Sequence, residues 1–355
     1  MFLNRSIGER LRLRLREKVK PFASAFTFAF AFAFFFSSCV KIDEYPNNQR
    51  GNFEALWTIL DEHYCFFEYK GINWDSIHTV YSQQIDNSMN DESLFMLLDQ
   101  MLQELKDGHV NLVTPFNIGR YWKWFEDYPR NFDLKLLDNY LGSHYAISGG
   151  IRYKILDDNI GYLYYGDFSS ALGEGNIDYI IDKLSICNGM IIDVRDNGGG
   201  LLSNAENLAA RFVNDKTLVG YIQHKTGKGH NDFSEPFARY NIPSTRLRYQ
   251  KPVVILTNRS CFSATNDFVN SMRYCPNVTI LGDKTGGGSG LPFHSEIPNG
   301  WSVRFSACPM FDANRQQTEF GIDPNIHVDL SDEDVQKGKD TLIEAARSLL
   351  KKGTP

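Results

Sequence analysis

From Ile160 onward, short apolar runs alternate with helical periods, and this alternation restricts the chain more than any other feature in it. The strand candidates are IGYLYYGDF, GMIIDVR, KPVVILTN, VTILGD and WSVRFSA, with helical patterns over 203–213 and 264–274 between them. Such an alternation calls for an α/β core of roughly 180 residues. No internal repeat or low-complexity segment interrupts it, which sets aside solenoids and propellers.

The residues ahead of this core divide by pattern. From Phe53 to about Leu105 the period is helical: Phe53, Leu56, Trp57 and Leu60, then Leu94, Leu97, Leu98, Met101 and Leu102, recur at spacings of three and four,. This predicts some three helices. His109 to Val113 alternates as a strand does, and the stretch from 111 to 158 is aromatic and irregular, with Trp122, Trp124, Phe125 and Tyr128 close together,. The expected divisions are a leader over 1–38, a tether over 39–50, a helical N-terminal domain over 51–110, an irregular linking region over 111–158 and the core over 159–350.

The leader carries seven basic and two acidic residues in its first twenty positions, then eighteen uncharged residues from Pro21 to Ser38 that hold eight of the 26 Phe. That order is the basic and apolar sequence of an export signal. A retained transmembrane helix is the alternative, at the lower limit of length for a span. Phe36-Ser37-Ser38-Cys39 resembles a bacterial lipobox, which implies lipidation of Cys39 and anchoring of the body to a membrane of the cell envelope, facing the periplasm or the exterior. The whole chain has a formal charge of −6, and removing the leader takes it to about −11,. An acidic body gives no electrostatic basis for nucleic-acid binding. Cys65, Cys187, Cys261, Cys275 and Cys308 are odd in number, irregularly spaced and without CxxC, so they read as buried thiols rather than as a disulfide framework or zinc site,.

Two strand-to-helix turns hold the chemistry-bearing residues. Asp193-Val194-Arg195-Asp196-Asn197-Gly198-Gly199-Gly200 lets the backbone turn sharply and approach a ligand, ahead of a helix N-terminus that can hold an anion,. Thr257 to Asn266 places Ser263 at the start of a helix, as in a nucleophile elbow, with the next backbone N–H available to an oxyanion. His109, in Asp107-Gly108-His109-Val110, is a candidate base, with Gly108 suited to the left-handed position past a helix end. Glu319 is a candidate carboxylate to orient it. Each alone has a plain reading: a tight glycine turn, a helix-capping Ser, a structural His and a surface acid.

Together these segments resemble the C-terminal processing peptidase family, specifically its branch related to the tricorn core protease. The resemblance rests on DGH after the helical lead-in, DVRDNGGG against the family's DxRxNxGG, TNRSCFSAT against its serine loop, GDKTGGG against GxxTxG, and GIDPNIHV against GIxPDxxV, all in order. It implies a crotonase-like and ClpP-like α/β core of repeated ββα units behind a small helical domain. It further implies a serine endopeptidase acting on unfolded or tail segments of proteins; with no HExxH or other metal cluster in the sequence, no metal or cofactor is implied,. By that resemblance Ser263 is the nucleophile, His109 the general base, Glu319 the orienting carboxylate, and Gly199 and Ala264 the oxyanion-binding amides. Activity would then fall as pH drops through roughly 6.5.

Three features depart from the family pattern. The Lys of the Ser-Lys branch aligns on Gly288, leaving Lys284 as the runner-up base. The Ser that precedes the tricorn-branch His is Gly108 here. About fifty residues separate His109 from the core, too few for a PDZ domain. The competing readings are a non-catalytic peptide- or lipid-binding relative of the same fold, and a P-type ATPase through Asp283-Lys284-Thr285-Gly286. The latter needs a many-pass membrane domain that the sequence lacks, and the GGGSG run has no GK[ST] ending of a phosphate loop.

Overall fold

The computed structural model describes residues 45–352. The leader, Cys39 and the first part of the expected tether lie outside the described residues. The end of that tether is part of the fold: Tyr45 Oη bonds Thr58 Oγ1 at 2.8 Å, and Asn48 Oδ1 accepts from the Gly51 N–H at 2.8 Å.

Four helices come first: α1 (Gln49–His63), one-turn α2 (Phe67–Lys70), α3 (Trp74–Ser82) and α4 (Asp91–Gln103). Asn48, Asn73 and Asn90 cap the three longer ones by accepting from the N–H three residues on,. The stretch that reads as irregular from sequence contains β1 (Asn111–Val113), β2 (Ile118–Gly119), α5 (Lys123–Glu126), α6 (Leu134–Leu141), β3 (Ala146–Ser148) and β4 (Ile151–Ile155). Then follow β5 (Ile160–Tyr164), α7 (Glu174–Leu184), β6 (Gly189–Asp193), α8 (Leu202–Ala209), β7 (Thr217–Ile222), β8 (Phe237–Asn241), β9 (Val253–Thr257), α9 (Ala264–Met272) and β10 (Val278–Gly282). The chain closes with β11 (Gly290–Glu296), β12 (Ser302–Asp312), β13 (Ile326–His327), α10 (Asp332–Gln336) and α11 (Thr341–Lys352).

The strands form two sheets. One has the order β13-β10-β9-β6-β5-β4-β3, parallel from β13 to β5 and antiparallel beyond. Its central strands are buried on both faces, which is why β6 and β9 are continuous apolar runs rather than alternating ones,. Met190, Ile192, Val253 and Ile255 pack with α7, α8 and α9, whereas Ile191, Val254 and Leu256 pack on the other face with Leu137 of α6 and Leu342 and Ile343 of α11. The second sheet is antiparallel, with the order β2-β1-β12-β7-β8 and β11 paired to β12.

The helical segment 51–110 has no core to itself. Phe53, Leu56, Leu98 and Met101 are buried together with Val303, Phe305 and Ala307 of β12. Residues 45–352 accordingly lie in one compact unit rather than in a separate helical domain and core. Strands β6, β9 and β10 are neighbours and run parallel, so the three loops at their carboxyl ends lie side by side. In open α/β sheets that edge is where ligands bind.

Candidate active site

Ser263 stands between β9 and α9 with φ 59° and ψ −121°. A non-glycine residue held there stores on the order of 1–3 kcal/mol of strain, and the surroundings must over-determine it. They do so through hydrogen bonds from both neighbouring loops. Phe262 N–H donates to Asn197 O at 3.1 Å, Ser263 N–H to Gly287 O at 2.8 Å, and Thr265 Oγ1 to Asn197 Oδ1 at 2.7 Å. Ser263 Oγ makes no helix-capping bond. It lies 2.9 Å from His109 Nε2.

His109 reaches this position from the turn after α4. Asp107 Oδ1 accepts the His109 N–H at 2.8 Å, and the ring packs against Phe262 with centroids 4.7 Å apart. Trp124 stacks on the far side of Phe262 at 4.2 Å. The left-handed residue of this turn is Lys106, φ 46°, and not Gly108 as its sequence position suggests. Gly108 is required for space: a Cβ there would stand 2.6 Å from Trp124 Nε1 and 2.9 Å from Phe262 Cζ. With its proton on Nδ1 the imidazole accepts the Ser263 hydroxyl at Nε2, and Nδ1 then has no hydrogen-bond partner among the described residues. Burial pushes the imidazole pKa down to about 3; Asp107 opposes this shift, and Arg304 and Lys70 add to it,. His109 is therefore neutral across the physiological range.

The expected pairing of Glu319 with His109 is not present. Glu319 is buried, but its Oε2 accepts the Ser289 N–H at 2.8 Å and its Oε1 lies 2.9 Å from the ammonium of Lys70. Lys70 also reaches Asp107 Oδ2 at 3.2 Å, an oxygen that further accepts from Tyr64 Oη at 2.9 Å and Ser306 Oγ at 3.0 Å. One buried cation thus faces two buried carboxylates. Burial would raise the Asp107 carboxyl, but Lys70, His109 and the donors around it hold it below its ordinary range. Glu319, less well compensated, is pushed up to about 7 by burial, with Asp107 adding to the shift and Lys70 opposing it,.

The two amides expected to bind an oxyanion differ in their hydrogen bonding. Ala264 N–H belongs to the first turn of α9 and has no hydrogen-bond acceptor among the described residues, as expected for a helix start,. Gly199 N–H, by contrast, is donated to Asn197 Oδ1 at 2.9 Å inside its own turn. Gly200 borders the cavity beside Ser263, and its N–H has no acceptor among the described residues. The arginine of the glycine turn is also committed: Arg195 is buried and pairs with Asp193 at 2.6 Å and Asp340 at 3.0 Å. The cavity that opens on Ser263 and His109 has a volume of about 280 Å³.

Residues 159–328 match peptidase family S41, and residues 45–103 match the tricorn protease C1 domain. A crystal structure of a Parabacteroides merdae protein, assigned provisionally as a peptidase, is 55% identical; the match covers 86% of this chain and 97% of that one, with a TM-score of 0.82. The chain belongs to peptidase family S41. The carboxy-terminal processing protease CtpA of Bacillus subtilis is 25% identical over 179 residues, 50% of this chain and 36% of that protein. The corresponding protease of Bartonella bacilliformis is 24% identical over 202 residues, 54% of this chain and 44% of its own length. This S41 chain therefore spans less than half the length of either curated relative. The crystal structure of the tricorn protease shares the fold at 13% identity, TM-score 0.54, over 86% of this chain and 37% of that one.

As an S41 member the chain departs from the Ser-Lys arrangement for a structural reason. Gly288 has φ 78°, and a side chain there would meet the Phe262 ring at 2.5 Å. Lys284, the runner-up base, pairs instead with the exposed Asp323 at 3.5 Å. Lys70, Tyr64, Asp107, Trp124 and Arg304 carry no site role in the sequence pattern. Lys70 has no local signal, since its partners are 37 and 249 positions away. The described cysteines are buried and unpaired, and no group of three or more His, Cys, Asp or Glu among the described residues is arranged to hold a metal.

Proposed function

We propose that the protein is a serine endopeptidase in which His109 activates Ser263. The observation that carries this reading is the 2.9 Å contact between Ser263 Oγ and His109 Nε2, made by a serine held in a strained backbone that no capping bond explains. Neutral His109 takes the hydroxyl proton as Oγ attacks a peptide carbonyl, and the imidazolium returns that proton to the departing amine. The amides of Ala264 and Gly200 receive the oxyanion, each such donor contributing about 10²- to 10³-fold in rate. Water, deprotonated by His109, then releases the acyl group.

Asp107 serves His109 through the backbone, and Lys70 with Glu319 steadies Asp107 from behind. Extended polypeptide segments, such as unfolded regions or protein tails, fit a cleft at a sheet edge. The basic and apolar leader and Cys39 support export and a lipid anchor, which would put this chemistry outside the cytoplasm of a bacterium.

One observation favours the alternative of a non-catalytic peptide-binding relative: an imidazolium at 109 would find no acceptor for Nδ1–H among the described residues. A fluorophosphonate probe separates the two readings. Labelling of the wild type that is lost in Ser263→Ala supports the peptidase, and a folded wild type that is not labelled supports the binding module.

A further inference from the structure

The cavity beside Ser263 has apolar walls in Leu201, Leu202, Leu291 and Met310, and it holds two charged side chains, Asp267 and Arg304. Asp267 is already neutralised, since Arg239 donates to both its oxygens at 2.6 and 2.8 Å. Arg304 is not. It is half-buried on β12, and its cross-strand neighbours are Asn111 and His294, neither of them an acid. Among the described residues its guanidinium makes no hydrogen bond and no ion pair. The carboxylate whose charge reaches it, Asp107, is already bonded by Lys70, Tyr64, Ser306 and the His109 N–H.

A guanidinium that is partly removed from water without a counter-ion is unfavourable in the free protein and favourable once an anion arrives. Its planar fork matches a carboxylate in two parallel N–H···O bonds, a geometry that an ammonium or a neutral amide does not offer. The setting sharpens the argument, because a body with a net charge of about −11 leaves this cation unpaired at the mouth of its reactive serine,.

We propose that Arg304 makes the cavity selective for a carboxylate on the bound peptide, either an Asp or Glu side chain or a free α-carboxyl terminus. The inference rests on the peptidase reading for the statement that a peptide lies in this cavity. Its apolar walls would take the aliphatic part of the same segment.

The test measures binding, so that it does not depend on turnover. Full-length Ser263→Ala protein is titrated with fluorescent decapeptides of Ala and Leu carrying Glu or Gln at each position in turn, and with the same peptides ending in an acid or an amide. At one position, or at the terminus, the carboxylate form should bind about tenfold or more tightly than its neutral partner, and the gap should narrow with added salt. The acid and amide arm identifies the terminus as the source, and the Glu and Gln arm a side chain. Ser263→Ala/Arg304→Gln should bring the ratio to near one, Arg304→Lys should retain part of it, and Arg304→Glu should shift the preference to Lys-bearing peptides. Ratios near one in both arms overturn the proposal, as does a preference that persists in Arg304→Gln. Absence of fluorophosphonate labelling in the wild type overturns the peptidase reading alone and leaves the binding ratios to decide this one.

Discussion

The ammonium of Lys70 lies 2.9 Å from Glu319 Oε1 with both side chains buried, and this contact joins the second helix of the chain to the segment after its last long strand. The same ammonium reaches Asp107, whose other oxygen holds the backbone of His109. Glu319 is therefore linked to the backbone of His109, not to its ring, through Lys70 and then Asp107. The arrangement has a net deficit of positive charge, and it distributes that deficit unevenly: Asp107 stays ionised, and Glu319 takes up a proton most readily.

Removing the cation should expose that imbalance. Lys70→Met leaves two buried carboxylates without a counter-ion, though still hydrogen-bonded, and is expected to cost about 3–5 kcal/mol. The loss should be smaller at pH 5 than at pH 8, because protonation can relieve the carboxylates at the lower pH. Urea unfolding at the two pH values checks this. A deficit of equal size at both would show that charge is not its cause. Lys70→Arg keeps the charge and should recover much of the stability.

Glu319 contributes its own pH dependence. Its carboxyl is raised from an ordinary 4.5 to about 7, mainly by burial. The folded state thus binds more protons than the unfolded one between those values, so the stability it confers is present in full below about 4.5 and is lost as pH rises through about 7. Glu319→Gln keeps an oxygen for the Ser289 N–H and removes the titration. The slope of stability between pH 5 and 8 should flatten in this variant. An unchanged slope would assign the titration to another group.

The pH dependence of Ser263 reactivity also changes from what the sequence suggests. An unperturbed histidine would lose its base function as pH falls through roughly 6.5. Burial lowers His109 to about 3, so the neutral, proton-accepting form persists well below that. Fluorophosphonate labelling should show no inflection near 6.5 that belongs to His109. One near 7 would come from Glu319 and should vanish in Glu319→Gln. An inflection near 6.5 that survives in that variant would place His109 in a solvated setting. His109→Ala should reduce labelling by about 10³-fold or more, whereas Lys284→Ala should leave it unchanged.

The outline of the site was legible because its parts sit where strands become helices. Continuous apolar runs mark β6 and β9 as strands buried on both faces, and the turns after them carry Asp196, Gly199 and Ser263, whose backbone demands are local. Five ordered segments were enough to bring His109 and Ser263 together across 154 residues. What stayed hidden depends on distant partners. Strands β7, β8 and β11 draw their order from pairing with β12 and with each other, so their sequences alternate only weakly,. One local bond, Gly199 N–H to Asn197 Oδ1, occupies the amide that the sequence pattern offers to an oxyanion, and this bond is the reason Gly200 is proposed in its place. Lys70 and Arg304 are single basic residues, and only the fold shows that the first has two buried carboxylate partners and that the second has no acid partner among the described residues.

Gly108 offers the sharpest check on how the ring of His109 is held. In the tricorn-like branch that the sequence resembles, a Ser occupies this position, and here the space is filled by Trp124 and Phe262. Gly108→Ser would drive a Cβ to within 2.6 Å of Trp124 Nε1 and 2.9 Å of Phe262 Cζ, and overpacking of this kind typically costs about 1–3 kcal/mol,. Phe262 precedes Ser263 and touches the His109 ring, so the displacement should also slow fluorophosphonate labelling. Trp124→Ala in the same chain makes room for the Cβ, and the double variant should be less destabilised than the sum of the two single changes, because the residues share one space. Thermal unfolding of all four proteins measures this coupling. Strict additivity would mean that Trp124 does not set the requirement for glycine and would leave Phe262 as the side chain that does.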